Sequence, residues 1–217
     1  MGRFFSYDSG LMQALSKLFD CICLAILWII CCVPIFTVGA STTALYYSYN
    51  KAIRQKRSYA IKEFFHGFKM NFKQSTVVWL IVLLLYVVAI FDLMILRGMS
   101  SSAGFIKVIL MFVLAMLVFL TMWVTYVFPY LARFENHTKA VMKNSAIIMI
   151  ANLPWSILLL VLFVIAAGLL LLIPMFGIFA PALYVAFANL ILERIFRKYM
   201  TEEDLESEKE IEMYSKR

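Results

Sequence analysis

The chain is short of charge. Asp, Glu, Lys and Arg together make up 15% of its 217 residues, while 64% are hydrophobic. A soluble domain carries about 25% charged and about 45–50% apolar residues. A water-facing surface cannot be assembled from this composition, so lipid is the solvent for much of the chain. Histidine is nearly missing: His66 and His137 stand far apart, with no HExxH and no carboxylate–His pair, so no metal centre is expected. The four cysteines, Cys21, Cys23, Cys31 and Cys32, all fall in the first apolar run. They lack zinc-ligand spacing and are poorly placed for disulfides, so they read as small packing residues. There is no Gly-rich phosphate loop and no GxSxG. Ser41 and Thr43 have no partner base in the sequence. The expectation is a non-enzymatic protein with no cofactor. The net charge of +7 does not point to nucleic acid, because the basic residues sit in the gaps between apolar runs, as in cytoplasmic membrane loops.

Long apolar runs are what the sequence does have. A spanning helix needs about 20 mostly apolar residues. Four runs meet that length: 18–37, 76–96, 105–130 and 154–173. The first is longer than the apolar core of a signal peptide and no small-x-small site follows it, so it reads as a retained helix. Two further segments, 38–54 and 174–194, are less clear and resemble each other. Each opens on Pro-x-Phe (Pro34, Pro174). Ala44-Leu45-Tyr46 recurs as Ala182-Leu183-Tyr184, Asn50 corresponds loosely to Asn189, and both end in basic residues.

Lysine and arginine crowd 50–75, 131–153 and the C-terminal tail, and thin out around 97–107 and Pro174. That asymmetry places the rich segments in the cytoplasm. Pro34 and Gly39 can make a sharp turn, and Thr37, Ser41, Thr42 and Thr43 are tolerated in lipid when they bond helix carbonyls or a neighbouring helix. The fold class that follows is all-α: a polytopic membrane helix bundle of about six spans with both termini cytoplasmic. If 38–54 is re-entrant or interfacial, five full spans remain. Residues 1–200 form one transmembrane helical domain, and 201–217 a charged cytoplasmic tail.

Two cytoplasmic connections look amphipathic. In AIKEFFHGFKMNFK, Ile61, Phe64, Phe65, Phe68 and Phe72 share a helical face, with Lys62, His66, Lys69 and Lys73 mostly opposite. Such a helix lies in the headgroup region with its lysines toward anionic lipid. Phe134, Val141, Met142 and Ala146 give a weaker stripe in the second connection. Phe64, Phe65, Phe68, Lys69 and Lys143 are the candidate cytoplasmic contact residues. Asp20, Asp92, Glu193 and Arg194 fall near span ends and read as interface anchors. Tyr46, Tyr47, Tyr49, Trp79, Trp123, Tyr126, Tyr130 and Trp155 read as an aromatic belt, with sugar stacking as the functional alternative.

WIICCVPIFTVGASTTALYYSYNK resembles the signature of the YesL family of bacterial membrane proteins, a domain of unknown function. Trp28, Cys32, Pro34, Phe36, Thr37, Gly39, Ala40, Ser41, Thr43, Ala44 and Tyr46 carry the resemblance, and FFHGFKMNFKQS and KNSAIIMIANLPW extend it. Members are typically encoded beside sugar ABC importers or carbohydrate-utilisation genes. The resemblance therefore implies a bacterial plasma-membrane protein that is an accessory subunit or factor of a carbohydrate ABC importer, with importer subunits and the lipid bilayer as partners. It supplies no catalytic residues. The segment KAVMKNSAIIMIANLP is not read as a permease coupling helix, because Lys139 stands where that motif has Glu, Ser145 where it has Gly, and the interval to Leu153-Pro154 is short. The alternative is a small solute transporter or channel acting alone, its path lined by Thr37, Thr42, Thr43 and Tyr46 with Trp28, Pro34, Phe36 and Gly39 around them. A deep cavity there would favour transport; a packed bundle would favour the subunit.

Overall fold

The computed structural model describes residues 10–54, 59–98, 104–172 and 179–200, with positions 202 and 206. Seven α-helices run through them: α1 (Gly10–Cys32), α2 (Val38–Ser48), α3 (Ala60–Gly98), α4 (Gly104–Arg133), α5 (Thr138–Ala151), α6 (Leu153–Leu172) and α7 (Ala180–Phe196). No strand occurs among the described residues. Two helices, α3 and α4, are long and apolar enough to cross a membrane, and the bent pair α5–α6 makes a third if taken as one span. The all-helical, membrane-compatible class is therefore as expected from the apolar runs. The expected return turn at Pro174 and most of the 201–217 tail lie outside the described residues.

At Pro34 the chain turns back. Proline has no N–H to continue the helix; it adopts an extended conformation (φ −75°, ψ 116°), followed by one turn of 3-10 helix over Ile35–Thr37. α2 then folds beside the end of α1, with Trp28 Nε1 donating to Thr42 Oγ1 at 3.2 Å. α2 is only 11 residues long and runs on into a wider π-helical stretch, Tyr49–Arg54. Almost every α2 residue is buried, because the helix lies between its neighbours and touches α1, α3, α4 and α7.

The amphipathic helix expected at 60–73 has no boundary of its own. It is the first part of α3, continuous with the apolar run that follows. Nothing between Phe68 and Arg97 is glycine or proline, so nothing stops the helix. At 39 residues α3 is about 58 Å long, nearly twice the roughly 30 Å of a hydrocarbon core. Its buried face is also not the phenylalanine stripe. Ala60, Phe64, Gly67, Asn71, Ser75 and Val78 point inward, a face rotated by about 80° from the Ile61–Phe72 stripe at 100° per residue. Only Phe64 belongs to both. Small residues win this face because α2 comes so close: a Cβ built on Gly67 would lie 2.7 Å from Tyr47 Cδ1.

α5 and α6 meet at a 101° bend. Asn152 closes α5: its N–H donates to Ile148 O at 3.1 Å and its Nδ2 to the same oxygen at 2.9 Å. Pro154 cannot donate an amide back into α5, so a new helix starts there. Ser156 pins the corner, its Oγ lying 2.8 Å from Met149 O, 3.1 Å from Asn152 O and 2.8 Å from Tyr126 Oη on α4.

Candidate functional site

The motif around Pro34 sits where α1, α2 and α3 converge. The last four carbonyls of a helix have no intrahelical donor, and in lipid each unsatisfied group is costly. The motif supplies the donors. Thr37 Oγ1 shares its proton between Cys31 O and Pro34 O, both at 2.6 Å. Ser41 Oγ lies 3.0 Å from Cys31 O and 2.9 Å from Thr37 O. Thr42 Oγ1 donates to Val38 O at 2.7 Å and Thr43 Oγ1 to Gly39 O at 3.0 Å. From α3, Ser75 Oγ donates to Thr43 Oγ1 at 3.0 Å, and Trp79 Nε1 to Ile35 O at 2.7 Å. Every hydroxyl of the set thus has a main-chain acceptor or a hydroxyl neighbour.

Gly39 lets the helices meet. A Cβ there would stand 2.5 Å from Trp79 Cβ, 2.7 Å from Ser75 O and 3.0 Å from Phe128 Cε1. Trp79 and Phe128 pack behind it, ring centroids 6.1 Å apart. Of the expected path-lining residues, Thr37, Gly39, Thr43 and Tyr46 are buried, Trp28 and Thr42 are half-buried, and Pro34 and Phe36 are exposed at the turn.

Tyr46 differs from the rest. It is 4% exposed and its hydroxyl meets no main-chain acceptor among the described hydrogen bonds. That hydroxyl faces the hydroxyl of Tyr184 on α7. The two segments that resemble each other in sequence therefore meet in space at their matching tyrosines. The side-chain oxygens of the matching asparagines, Asn50 and Asn189, are buried with no hydrogen-bond partner among the described residues.

A second group of side chains lies at the opposite end of α2. Lys51 donates to the Tyr47 hydroxyl and stands 3.9 Å from Glu63 on α3. On α4, Arg133 Nη2 meets Glu193 Oε1 of α7 at 3.1 Å, with Glu193 almost wholly buried. On the same two helix ends, Tyr130 stacks on Phe134 at 4.6 Å between centroids, and Phe196 meets Tyr130 and Phe134 edge-on at 6.0 and 5.7 Å. Asn136 and Asn144 both donate to the Tyr130 hydroxyl at 3.1 Å. Glu193 reads as an interface anchor in the sequence; its role as a buried ion pair joining α4 to α7 has no local signal, because Arg133 is 60 positions away.

The candidate contact residues divide. Phe64 is fully buried and belongs to the core, and Phe68 is half-buried. Phe65, Lys69 and Lys143 are exposed. The four cysteines are free, and no group of three or more His, Cys, Asp or Glu that could hold a metal occurs among the described residues.

These features define an all-helical protein with helices suited to a membrane, organised around a packed joint of hydroxyls, glycine and tryptophan. The family model described as a protein of unknown function, DUF624, matches residues 21–93, which take in most of α1, the whole joint and α3 as far as Leu93. YesL is the known family of that domain, so the resemblance carried by the Pro34 motif holds. No curated protein and no solved structure matches the chain.

Proposed function

We propose that this protein is a non-enzymatic membrane helix bundle that works by contact with other proteins, as an accessory subunit or factor of a carbohydrate ABC importer in the bacterial plasma membrane. The observation that carries the reading is the state of the motif. Thr37, Ser41, Thr42 and Thr43 direct their hydroxyls at main-chain carbonyls, and Gly39 is closed over by Trp79 and Ser75. Groups arranged this way hold helices together rather than line a route for solute. The importer comes from the YesL resemblance. The arrangement of Lys and Arg supports both termini and the lysine-rich helix ends facing the cytoplasm, with up to six spans if α1, α2, α6 and α7 also cross. On that side, exposed Phe65, Lys69 and Lys143 offer the contact surface.

One observation favours a solute transporter acting alone: the buried side-chain oxygens of Asn50 and Asn189, which have no partner among the described residues and in a low-dielectric interior call for a water or ligand. Affinity purification from native membranes in mild detergent separates the two. Copurification of permease and ATPase subunits is the expected result. Uptake of labelled sugar into liposomes by the purified protein alone would replace the subunit with a transporter.

A further inference from the structure

The register of α2 on α3 fixes how deep the α1–α2 hairpin reaches. The two helices run antiparallel. Lys51 stands 3.9 Å from Glu63, and a Cβ on Gly67 would lie 2.7 Å from Tyr47 Cδ1. Further along, Ser75 Oγ donates to Thr43 Oγ1 at 3.0 Å, and Trp79 Nε1 to Ile35 O at 2.7 Å. α1 comes in along the same stretch, since Trp28 bonds Thr42 and Cys31 O accepts from Ser41. The turn at Pro34 therefore lies level with Trp79. Trp79 is six positions past Lys73 and 18 before Arg97, about 9 Å from the one and about 27 Å from the other along the helix axis. Beyond that level α3 pairs with α4, Tyr86 Oη meeting Thr121 Oγ1 at 2.9 Å, and its apolar run continues for the greater part of a bilayer core.

The arms of the hairpin are short. The apolar part of α1, Phe19–Cys32, is about 21 Å long and α2 about 16 Å, against a hydrocarbon core of about 30 Å. The tip is nonetheless suited to hydrocarbon. Val33, Ile35 and Phe36 are 78%, 67% and 51% exposed, whereas a turn emerging into water favours polar residues, glycine and proline. Irregular backbone is tolerated at membrane depth only where the protein satisfies its polar groups. Here Cys31 O and Pro34 O accept from Thr37, and Ile35 O accepts from the Trp79 indole.

We propose that α1 and α2 form a re-entrant hairpin. It enters the bilayer from the end of the molecule that carries Lys51, Lys62, Lys69 and Lys73. It turns at Pro34 inside the nearer leaflet, presents Val33, Ile35 and Phe36 to the acyl chains there, and leaves by the side it entered. Its partner is lipid of a single leaflet. Among the described helices at most four crossings then remain: α3, α4, α6 and α7. This topology is independent of any importer subunit.

The test uses full-length chains carrying Cys21→Ala, Cys23→Ala, Cys31→Ala and Cys32→Ala, with one added thiol: Val33→Cys, Phe36→Cys, Lys69→Cys, Val87→Cys or Lys107→Cys. In right-side-out and inside-out membrane vesicles, a charged, impermeant maleimide should label Lys69→Cys from one side and Lys107→Cys from the other. Val33→Cys and Phe36→Cys should react at least tenfold more slowly from either side. In lipid vesicles, a fluorophore at 33 or 36 should be quenched at least twofold more by a nitroxide near the headgroup end of the acyl chain than by one near its methyl end, with the reverse at 87. Labelling of 33 or 36 from the Lys107 side means that the hairpin crosses. Fast labelling from the Lys69 side without quenching means that it stays in water. Quenching at 36 that matches 87 puts the turn at the midplane. Each of these results overturns the proposal. If the cysteine-free chain does not keep the natural thermal midpoint, Phe36→Asp in the otherwise natural chain decides. A carboxylate forced into hydrocarbon should lower the midpoint in lipid discs by at least about 4 °C, and an unchanged midpoint overturns the hairpin's insertion.

Discussion

Substituting alanine at Gly39 tests the joint directly. The added methyl would sit 2.5 Å from Trp79 Cβ and 2.7 Å from the Ser75 carbonyl oxygen, whereas carbon atoms in contact stand about 3.5–4.0 Å apart. Both obstacles are fixed to the α3 backbone, so no rotamer change removes them. α2 and α3 must part by about 1 Å along their shared face. Overpacking of this kind costs about 1–3 kcal/mol. Replacing glycine by alanine in a helix returns about 0.8–1.0 kcal/mol. Where the steric cost wins, the loss is up to about 2 kcal/mol, or a fall in thermal midpoint of up to about 8 °C for a chain of this size. Gly168 is the control. It is helical and a Cβ there would meet nothing within 4 Å, so Gly168→Ala should raise the midpoint by up to about 4 °C. Both can be read from intrinsic tryptophan fluorescence on heating in one detergent. If Gly39→Ala unfolds at or above the natural temperature, α2 and α3 are not in the close contact described.

The buried and exposed members of one phenylalanine cluster should part company. Phe64→Ala is expected to lose about 3–5 kcal/mol, and Phe65→Ala to stay within about 0.5 kcal/mol, with equal losses in the same melt ruling out the burial of Phe64 alone. For the α4–α7 ion pair, Glu193→Leu should cost about 3 kcal/mol by removing the buried carboxylate that Arg133 Nη2 meets. The double variant Glu193→Leu/Arg133→Met should recover most of that, and a simple sum of the two single effects would count against a coupled pair. Ser156→Ala removes the hydroxyl partner of buried Tyr126 and one clamp of the α5–α6 corner, an expected loss of about 1–3 kcal/mol; an unchanged midpoint would mean that the corner holds without it.

The turn at Pro34 could be read from the sequence because its cause is local: a proline with no amide to give, followed by small residues that tolerate close approach. The tolerance of Thr37, Ser41, Thr42 and Thr43 was legible for the same reason, since a hydroxyl in lipid must bond something nearby. The long continuous α3 was legible only as an absence. Lys73-Gln74-Ser75-Thr76 looks like a polar boundary, yet it contains neither glycine nor proline, and tertiary packing carried the helix through it. Periodicity grouped the phenylalanines as an outward face but did not show which face α2 covers, or that Phe64 turns inward with it. Phenylalanine is the more apolar choice, but contact with a neighbour as close as α2 selects for small size, and Gly67, Asn71 and Ser75 satisfy it. In a bilayer the phenylalanines lose little by facing outward. The Arg133–Glu193 pair and the meeting of Tyr46 with Tyr184 depend on distant segments coming together, which spacing along the chain does not encode.

The unbroken length of α3 has a mechanical meaning. With no glycine or proline between Phe68 and Arg97, its lysine-studded half and its greasy half are one stiff beam, packed on α2 where Gly39 meets Trp79. A protein that took hold of the charged arm would tilt the other arm through the lipid by a comparable angle, with no side chain needing to relay the movement.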